Sequence, residues 1–360
     1  MKVLHIADVH LTSRADRSAR EAERVDRLLE RLSQAVSEGV ELLLIAGDLF
    51  DSPFESESMT RRVFTALAEL GIPVCIIAGN HDCACIGSVY THAELPENLH
   101  LLQGDVFETD TYAVYGTSYT SRYETRRVLA DFTVGDPDKI NILLHHGDLV
   151  TAGVESEYAP FTLAQLAESG ADYVALGHIH KRTDPDKAGR TTYAYAGIPD
   201  GRGFDEEGEQ GGWLLDLQKG KVTATFYPMS GRRYLEQTVD LSGLTHTAAC
   251  AEKILKELSG TYDDAYKIHL TGQVLFPLSV KALCEALSEL YFVKCIDECG
   301  QETDLTEGFD DYSLVGLFHQ SAMDKINAAT DEETRRMLEL ARSVGLAALL
   351  EQPLRGVDEE

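Results

Sequence analysis

Leu42-Leu43-Leu44-Ile45-Ala46-Gly47-Asp48-Leu49-Phe50-Asp51 is the stretch that decides the fold of this chain. Five apolar residues in a row, with no polar alternation, read as a strand buried on both faces, as in an α/β sheet covered by helices. Gly47 then allows a tight turn. Asp48 stands just past the carboxyl end of the strand, where the ligand sites of such sheets gather. Working outward, apolar runs at 3–7, 74–78, 140–144 and 173–176 predict four further strands. Helices are expected between them. Residues 19–37 carry Val25, Leu28, Leu29, Leu32 and Val36 at helical spacing, residues 59–70 stop before Gly71 and Pro73, and 163–168 form a shorter helix. Strands alternating with helices predict an α/β layered fold. Residues 191–196, 213–217 and 222–227 follow in quick succession with turn residues between them, which is the pattern of antiparallel pairs.

A domain boundary is expected at Ser230-Gly231, dividing 1–230 from 231–360. Beyond it the pattern restarts as strand 235–241, helix 249–258, strand 265–271, helix 280–290 and strand 292–296, a small α+β domain. The segment 314–350 reads as helical, with Met337, Leu338, Leu340, Ala341 and Leu346 on an apolar face. A chain of 360 residues is long enough for a large core and an accessory domain, and 44% hydrophobic with 26% charged residues is ordinary for a soluble globular protein. No apolar run has the length of a membrane span, and the first residues lack the apolar region of a signal peptide, so a cytoplasmic location is expected. Seven cysteines, an odd count, fit reduced thiols rather than a disulfide framework, and neither Cys83 with Cys85 nor Cys295 with Cys299 has a partner pair at zinc-site spacing. A net charge of −28 repels nucleic acid at long range, so contact with it requires a local basic strip or bound cations.

Five short segments carry the chemistry, each just past an expected strand: Asp8-Val9-His10, Gly47-Asp48-Leu49-Phe50-Asp51, Gly79-Asn80-His81-Asp82, His145-His146-Gly147-Asp148 and Gly177-His178-Ile179-His180. Asp8 and His10 lie two apart, as do His178 and His180, so each pair points the same way in extended chain. Carboxylate oxygen with imidazole nitrogen suits borderline divalent metals such as Mn, Fe, Co or Zn. Two metals close together need a bridging carboxylate, and a lone Asp on a glycine turn suits that task. Each segment alone is commonplace: Gly-Asp is mostly a turn, and a lone His-x-His is more often a surface strand pair. Five in one order, each at a strand end, are what point to a metal centre.

These segments resemble the D-x-H, G-D, G-N-H-[DE], H and G-H-x-H series of calcineurin-like metallophosphoesterases, over residues 1–180. The resemblance implies a four-layer α/β/β/α sandwich with a smaller C-terminal α+β cap. It implies one divalent metal held by Asp8, His10, Asp48 and His180 and a second held by Asp48, Asn80, His145 and His178, with Asp48 bridging. His145 and His146 compete for one ligand role. The family places its histidine two residues before a Pro or Gly, so Gly147 selects His145, with His146 as the alternative. By the same likeness His81 acts as general acid for the leaving group or contacts the phosphate, and Asp82 orients the His81 ring.

Finer likeness narrows the substrate. Residues 1–11, 46–52 and 195–206 resemble SbcD-type DNA repair exonucleases, and 267–272 and 313–318 resemble the accessory region of the YhaO-like branch of that family. This implies Mn-dependent, exonucleolytic hydrolysis of DNA phosphodiester bonds, a homodimer, and an SbcC-like ATPase subunit for which 313–350 is the candidate contact. Asp51 departs from archaeal and eukaryotic relatives, which place a second catalytic histidine there. Lys181, Arg182 and Arg202 are candidate substrate-binding residues, with Arg122, Arg126, Arg127 and Arg190 nearby in sequence; the alternative is that they balance an acidic surface. Tyr119 and Tyr123 are candidates for stacking on bases or for ordinary packing. Two rival functions stand beside the nuclease: a hydrolase for a small nucleotide or phosphomonoester, which the acidic charge favours, and a non-catalytic metal-binding scaffold for an ATPase partner.

Overall fold

The computed structural model describes residues 1–16, 19–130, 132–301, 313–329 and 331–349; the acidic end of the chain, 358–360, lies outside them. Two six-stranded sheets form the centre. The first runs in the order Lys221–Pro228, Gly211–Gln218, Lys2–Ile6, Leu42–Ala46, Val74–Ile77, Leu99–Leu101. Its last four strands are parallel, and the first two are added antiparallel. The second runs Gln103–Glu108, Tyr112–Thr117, Ile140–His146, Tyr173–Gly177, Thr191–Tyr195, Asp186–Ala188, with a parallel centre and an antiparallel strand at each edge.

Burial on both faces explains why Leu42–Ala46 shows no polar residue. Leu42, Leu44 and Ala46 point into the core between the two sheets, whereas Leu43 and Ile45 point to the helix side. There they meet Val25, Leu28 and Leu32 of helix Ala19–Ser37 and Val63 and Leu67 of helix Glu57–Glu69. On the second sheet Ile142 and Leu144 join the inter-sheet core, while Leu143 faces the outer layer with Phe161 and Leu166. Helix Leu163–Glu168 in that layer is short but fixed by a capping box between Thr162 and Gln165. The result is the expected α/β/β/α layering. Each fully buried leucine contributes about 1.5–3 kcal/mol.

Two features depart from the sequence reading. Thr191–Tyr195 does not pair with the strands that follow it; it joins the second sheet parallel to Tyr173–Gly177, and only Gly211–Gln218 and Lys221–Pro228 form the antiparallel pair. Residues 99–117 supply three strands that the sequence reading did not pick out, including the exposed edge strand Gln103–Glu108.

The chain falls into two compact units. The first contains both large sheets and continues into a three-stranded parallel sheet, Tyr234–Asp240, Ala265–Thr271 and Phe292–Asp297, with helices Thr247–Glu257 and Val280–Ala286 as its crossovers. The second gathers Ser242–Thr245, Gln273–Pro277 and the described residues from Gly300 on. Its helices Leu314–Ala328 and Glu332–Leu349 pack as a hairpin, with Gly345 leaving room for the Phe318 ring. Among the described residues no helix is long and apolar enough to cross a membrane.

Candidate metal centre

The five segments converge because their strand ends are laced together. The Asp8 N–H donates to the Gly47 carbonyl at 3.1 Å and the His10 N–H to that of Asp48 at 3.0 Å. Across the sheets, the His178 N–H donates to both Asp8 carboxylate oxygens, at 2.9 and 3.1 Å. Asp8, His10 and Asp48 have φ of 51°, 52° and 52°, and His178 has 98°, all in the left-handed region. Such a residue costs about 1–3 kcal/mol unless its surroundings hold it there, and such strain clusters at functional sites. Two glycines permit the close approach. A Cβ on Gly79 would stand 2.2 Å from Asp48 Oδ1, and one on Gly177 would stand 1.9 Å from the Ala46 carbonyl oxygen.

Four imidazoles share one arrangement. His146 Nδ1 faces the Ala46 carbonyl at 2.9 Å, and its Nε2 faces Asn80 Oδ1 at 2.9 Å and Asp48 Oδ2 at 3.4 Å. His180 Nδ1 meets Glu206 Oε1 at 2.9 Å, and its Nε2 lies 3.1 Å from His10 Nε2. His10 turns its Nδ1 toward Asp51 Oδ1 at 3.3 Å, an ion-pair distance without hydrogen-bond alignment. His178 turns its Nε2 toward Asp148 Oδ1 at 3.4 Å and its Nδ1 toward Asn80 Oδ1 at 3.1 Å. Carbonyl and carboxylate oxygens only accept, so Ala46 and Glu206 draw a proton to the outer nitrogens of His146 and His180. This is how metal-binding histidines are oriented by their outer partners. The inner nitrogens of His146 and His178 also face an acceptor, Asn80 Oδ1, and would offer a lone pair where an ion takes the place of a proton. Two imidazole Nε2 atoms at 3.1 Å also match the spacing of two ligands on one ion with bonds of about 2.0–2.1 Å. Asp8, His10 and His180 form one group able to hold a metal, and Asp8, Asp48 and His146 another. His10, Asp48 and His81 meet the same criterion, but His81 stands half-exposed at the rim.

The electrostatics of the ion-free site follow from burial and pairing. Burial alone would raise Asp48, but the His146 imidazole, His10 and the His81 backbone N–H together hold it well below the usual carboxylate range. Burial pushes Asp8 up to about 7. Burial would lower His146, yet Asp48 and Asp8 carry it up to about 9. Metal enters only deprotonated groups, so protons compete with it here. Affinity for divalent metal is therefore expected to rise with pH, steeply below about 7 where Asp8 and His146 both hold protons, less steeply up to about 9, and not beyond. Calorimetric titration across that window, in two buffers of different ionisation heat, checks this, because proton release must shrink as pH climbs.

The structure corrects two sequence assignments. His145 does not face the cluster. Its ring packs edge-on against Phe161, and its Nε2–H donates to the Ala159 carbonyl at 2.9 Å. Alternation along the strand is the reason: Leu143 and His145 share the outer face, while Leu144 and His146 share the inner one. His146→Ala is expected to weaken metal binding at least about 100-fold, more than loss of an outer partner costs, and His145→Ala to leave it unchanged; metal analysis after dialysis reads this. Asp82 does not orient the His81 ring. It is fully buried, accepting from the Gly79 N–H at 2.7 Å, the Phe50 N–H at 3.1 Å and the Tyr90 hydroxyl at 2.6 Å, so it shapes the loop. The His81 ring faces Asp51 instead, with Nδ1 3.4 Å from the Asp51 carbonyl and 3.8 Å from its carboxylate.

The other expected residues divide. Asp8, His10, Asp48, Asn80, His178 and His180 are brought together as described. Arg202 stands at the rim, donating to Glu206 at 3.2 Å with Nη1 3.7 Å from Asp51. Lys181 is exposed, and Arg182 stacks its guanidinium 3.6 Å from the centroid of Phe226, away from the cluster. Glu206 and Asp148 had no assigned role, although Asp148 belongs to the fourth segment and Glu206 ends the stretch 195–206. A cleft of about 270 Å³ bordered by His10, Asp51, Arg202 and Glu206 opens beside the cluster. A larger one, about 950 Å³, lies along helix Glu57–Glu69 and contains none of the segment residues.

Comparison with known proteins bears on the family. The calcineurin-like phosphoesterase pattern matches residues 1–182. The chain is 30% identical over 234 residues to the uncharacterized metallophosphoesterase YhaO of Bacillus subtilis, covering 62% of this chain and 57% of that protein. It is 26% identical over 246 residues to the DNA double-strand break repair protein Mre11 of Sulfolobus acidocaldarius, covering 64% and 61%. It is 27% identical over 253 residues to one subunit of the nuclease SbcCD of Bacillus subtilis, covering 58% and 64%. The matches thus span less than two thirds of these relatives' own length. With the segments, their convergence and a match over half its length, the chain belongs to the calcineurin-like phosphoesterase family.

Proposed function

We propose that this chain is a two-metal phosphodiesterase acting on DNA, as a Mn-dependent exonuclease. The observation that carries the reading is the common orientation of His10, His146, His178 and His180, each with one nitrogen inward and the other facing an oxygen. Asp8, His10, Asp48 and His180 would hold one ion, and Asp48, Asn80, His146 and His178 the other. When bound, two divalent ions supply Lewis-acid polarisation of the phosphoryl oxygens and a water of lowered pKa. His81 gives a proton to the leaving oxygen, Asp51 fixes the His81 tautomer, and Arg202 meets a non-bridging phosphate oxygen. Likeness to proteins named for DNA repair and nuclease activity supports DNA as the substrate. Because one relative is named as part of a larger nuclease, a partner protein is proposed as well. Exposed Leu314, Leu317, Met337 and Leu340 on the C-terminal helices are its candidate contacts.

The net charge of −28 favours a second reading, a small phosphodiester as substrate. The test compares release of nucleotides from end-labelled single- and double-stranded DNA with turnover of a cyclic mononucleotide, both with Mn. Shortening of DNA supports the nuclease. Metal-dependent turnover of the mononucleotide alone replaces it with the small-substrate hydrolase.

A further inference from the structure

A line of rings leads outward from the metal centre. Tyr158 lies against His178 with centroids 4.6 Å apart and planes at 33°, and Tyr123 lies 6.0 Å beyond Tyr158 at 45°. The Arg122 guanidinium stands 6.0 Å from the Tyr123 centroid. Tyr158 is half-buried, while Tyr123 is 51% exposed. One exposed tyrosine needs no explanation. This one is held on a braced ribbon. The Glu124 N–H donates to the Glu157 carbonyl at 2.8 Å, the Ala159 N–H to that of Glu124 at 2.5 Å, and the Asp148 N–H to that of Tyr158 at 2.9 Å. The Ser121 hydroxyl donates to the Tyr123 carbonyl at 2.7 Å. Ala159 is held at φ 37°, and the carbonyl it presents is the one His145 grips. His145, left without a metal role, thus anchors the ribbon that carries the rings.

We infer that this ribbon is a stacking ledge for a nucleobase adjoining the scissile phosphate, with Tyr123 as the platform, Tyr158 as its support against His178, and Arg122 placed for a neighbouring phosphate. The inference rests on the proposed action on nucleic acid and specifies what the site grips beyond the phosphate: an unpaired, planar base. Stacking is indifferent to base identity, since every base has a π-face, so the ledge holds a strand without reading its sequence. It also suits a chain of net charge −28, because stacking does not depend on long-range attraction to the phosphates. Tyr119 is different: it is 2% exposed, with its ring edge-on to His146, and belongs to the wall of the metal centre.

The test is binding, measured by fluorescence anisotropy with Mn on a His81→Asn background that spares the strand. The probes are an end-labelled single-stranded oligonucleotide and the same backbone made abasic throughout. The intact strand is expected to bind about 5- to 150-fold more tightly than the abasic one. Tyr123→Ala should erase that margin while leaving abasic binding unchanged, and Tyr123→Trp should retain it. Equal binding of the two strands with Tyr123 present, or no binding of either, overturns the ledge. So does a Tyr123→Ala loss that is the same for both strands, which would mark a structural role. A base margin in this background, together with no cutting of DNA by the unsubstituted chain, sustains the ledge while the nuclease reading falls.

Discussion

Asp48→Asn is expected to lower kcat/KM on any phosphodiester substrate by about 10³-fold or more, because a metal site contributes several kcal/mol of transition-state stabilisation. Asp8 also shares a possible ion group with each half, but Asp48 is the carboxylate within ion-pair distance of a histidine on both sides. Asp48 Oδ2 lies 3.4 Å from His146 Nε2 and 3.8 Å from His10 Nε2, while Oδ1 accepts the His81 backbone N–H at 2.9 Å. Asparagine keeps the shape but replaces a charge by an amide, and its NH₂ turns a donor toward nitrogens whose lone pairs the ions need. Both ions should therefore be lost together, and metal analysis should show this, in contrast to a substitution at Asn80, which touches only the His146 and His178 side. Unfolding is the competing explanation for lost activity. Stranding a buried charge costs about 3–5 kcal/mol, but His146 can release its proton and become neutral once Asp48 is gone, so the loss should be smaller than that. A cooperative thermal transition with a modest fall in Tm, alongside absent metal, supports the bridging role. Normal metal content with lost activity would end it.

What could be read from the sequence follows the physics of each element. Leu42–Ala46 is legible because both its faces are buried, so its apolar run is unbroken and the turn chemistry of Gly47-Asp48 follows at once. The same double burial hides which parity of a strand faces which layer. Ile140–His146 shows nothing in its sequence to distinguish the inner face from the outer, so the choice between His145 and His146 fell to a spacing rule that the fold does not obey. The edge strand Gln103–Glu108 was invisible for the opposite reason. It is exposed at almost every position and interrupted by a bulge, so its ladder rests on main-chain hydrogen bonds that any side chains permit. Glu206 supports His180 from a loop 26 residues away, and no local pattern announces such a pairing. The family likeness implies that Asp82 orients His81, but a buried carboxylate goes where N–H and O–H donors converge, and Gly79, Phe50 and Tyr90 provide them.

His81→Asn is expected to lower kcat on DNA by about 10²–10⁴-fold, the usual worth of a positioned general acid, with metal affinity unchanged. The ring stands half-exposed at the rim, edge-on to His10 with centroids 4.7 Å apart, and Nδ1 points to the Asp51 carbonyl, so Nε2 is the nitrogen available to a substrate. Asparagine can still hydrogen-bond a phosphate oxygen but cannot deliver a proton. The substitution therefore separates two roles that alanine would remove together. If His81 donates a proton, the deficit must depend on the leaving group. A deoxyribose alkoxide is a poor leaving group and needs the proton, whereas 4-nitrophenolate departs readily without one. The deficit on a 4-nitrophenyl phosphodiester should thus shrink to about 10-fold or less while that on DNA stays large. Asp51→Asn should reproduce a part of the DNA deficit, since its carboxylate lies 3.8 Å from the same ring and helps to fix its orientation. A small loss on DNA, or an equal loss on both substrates, assigns His81 to phosphate binding instead, and the proton must then reach the leaving oxygen from solvent.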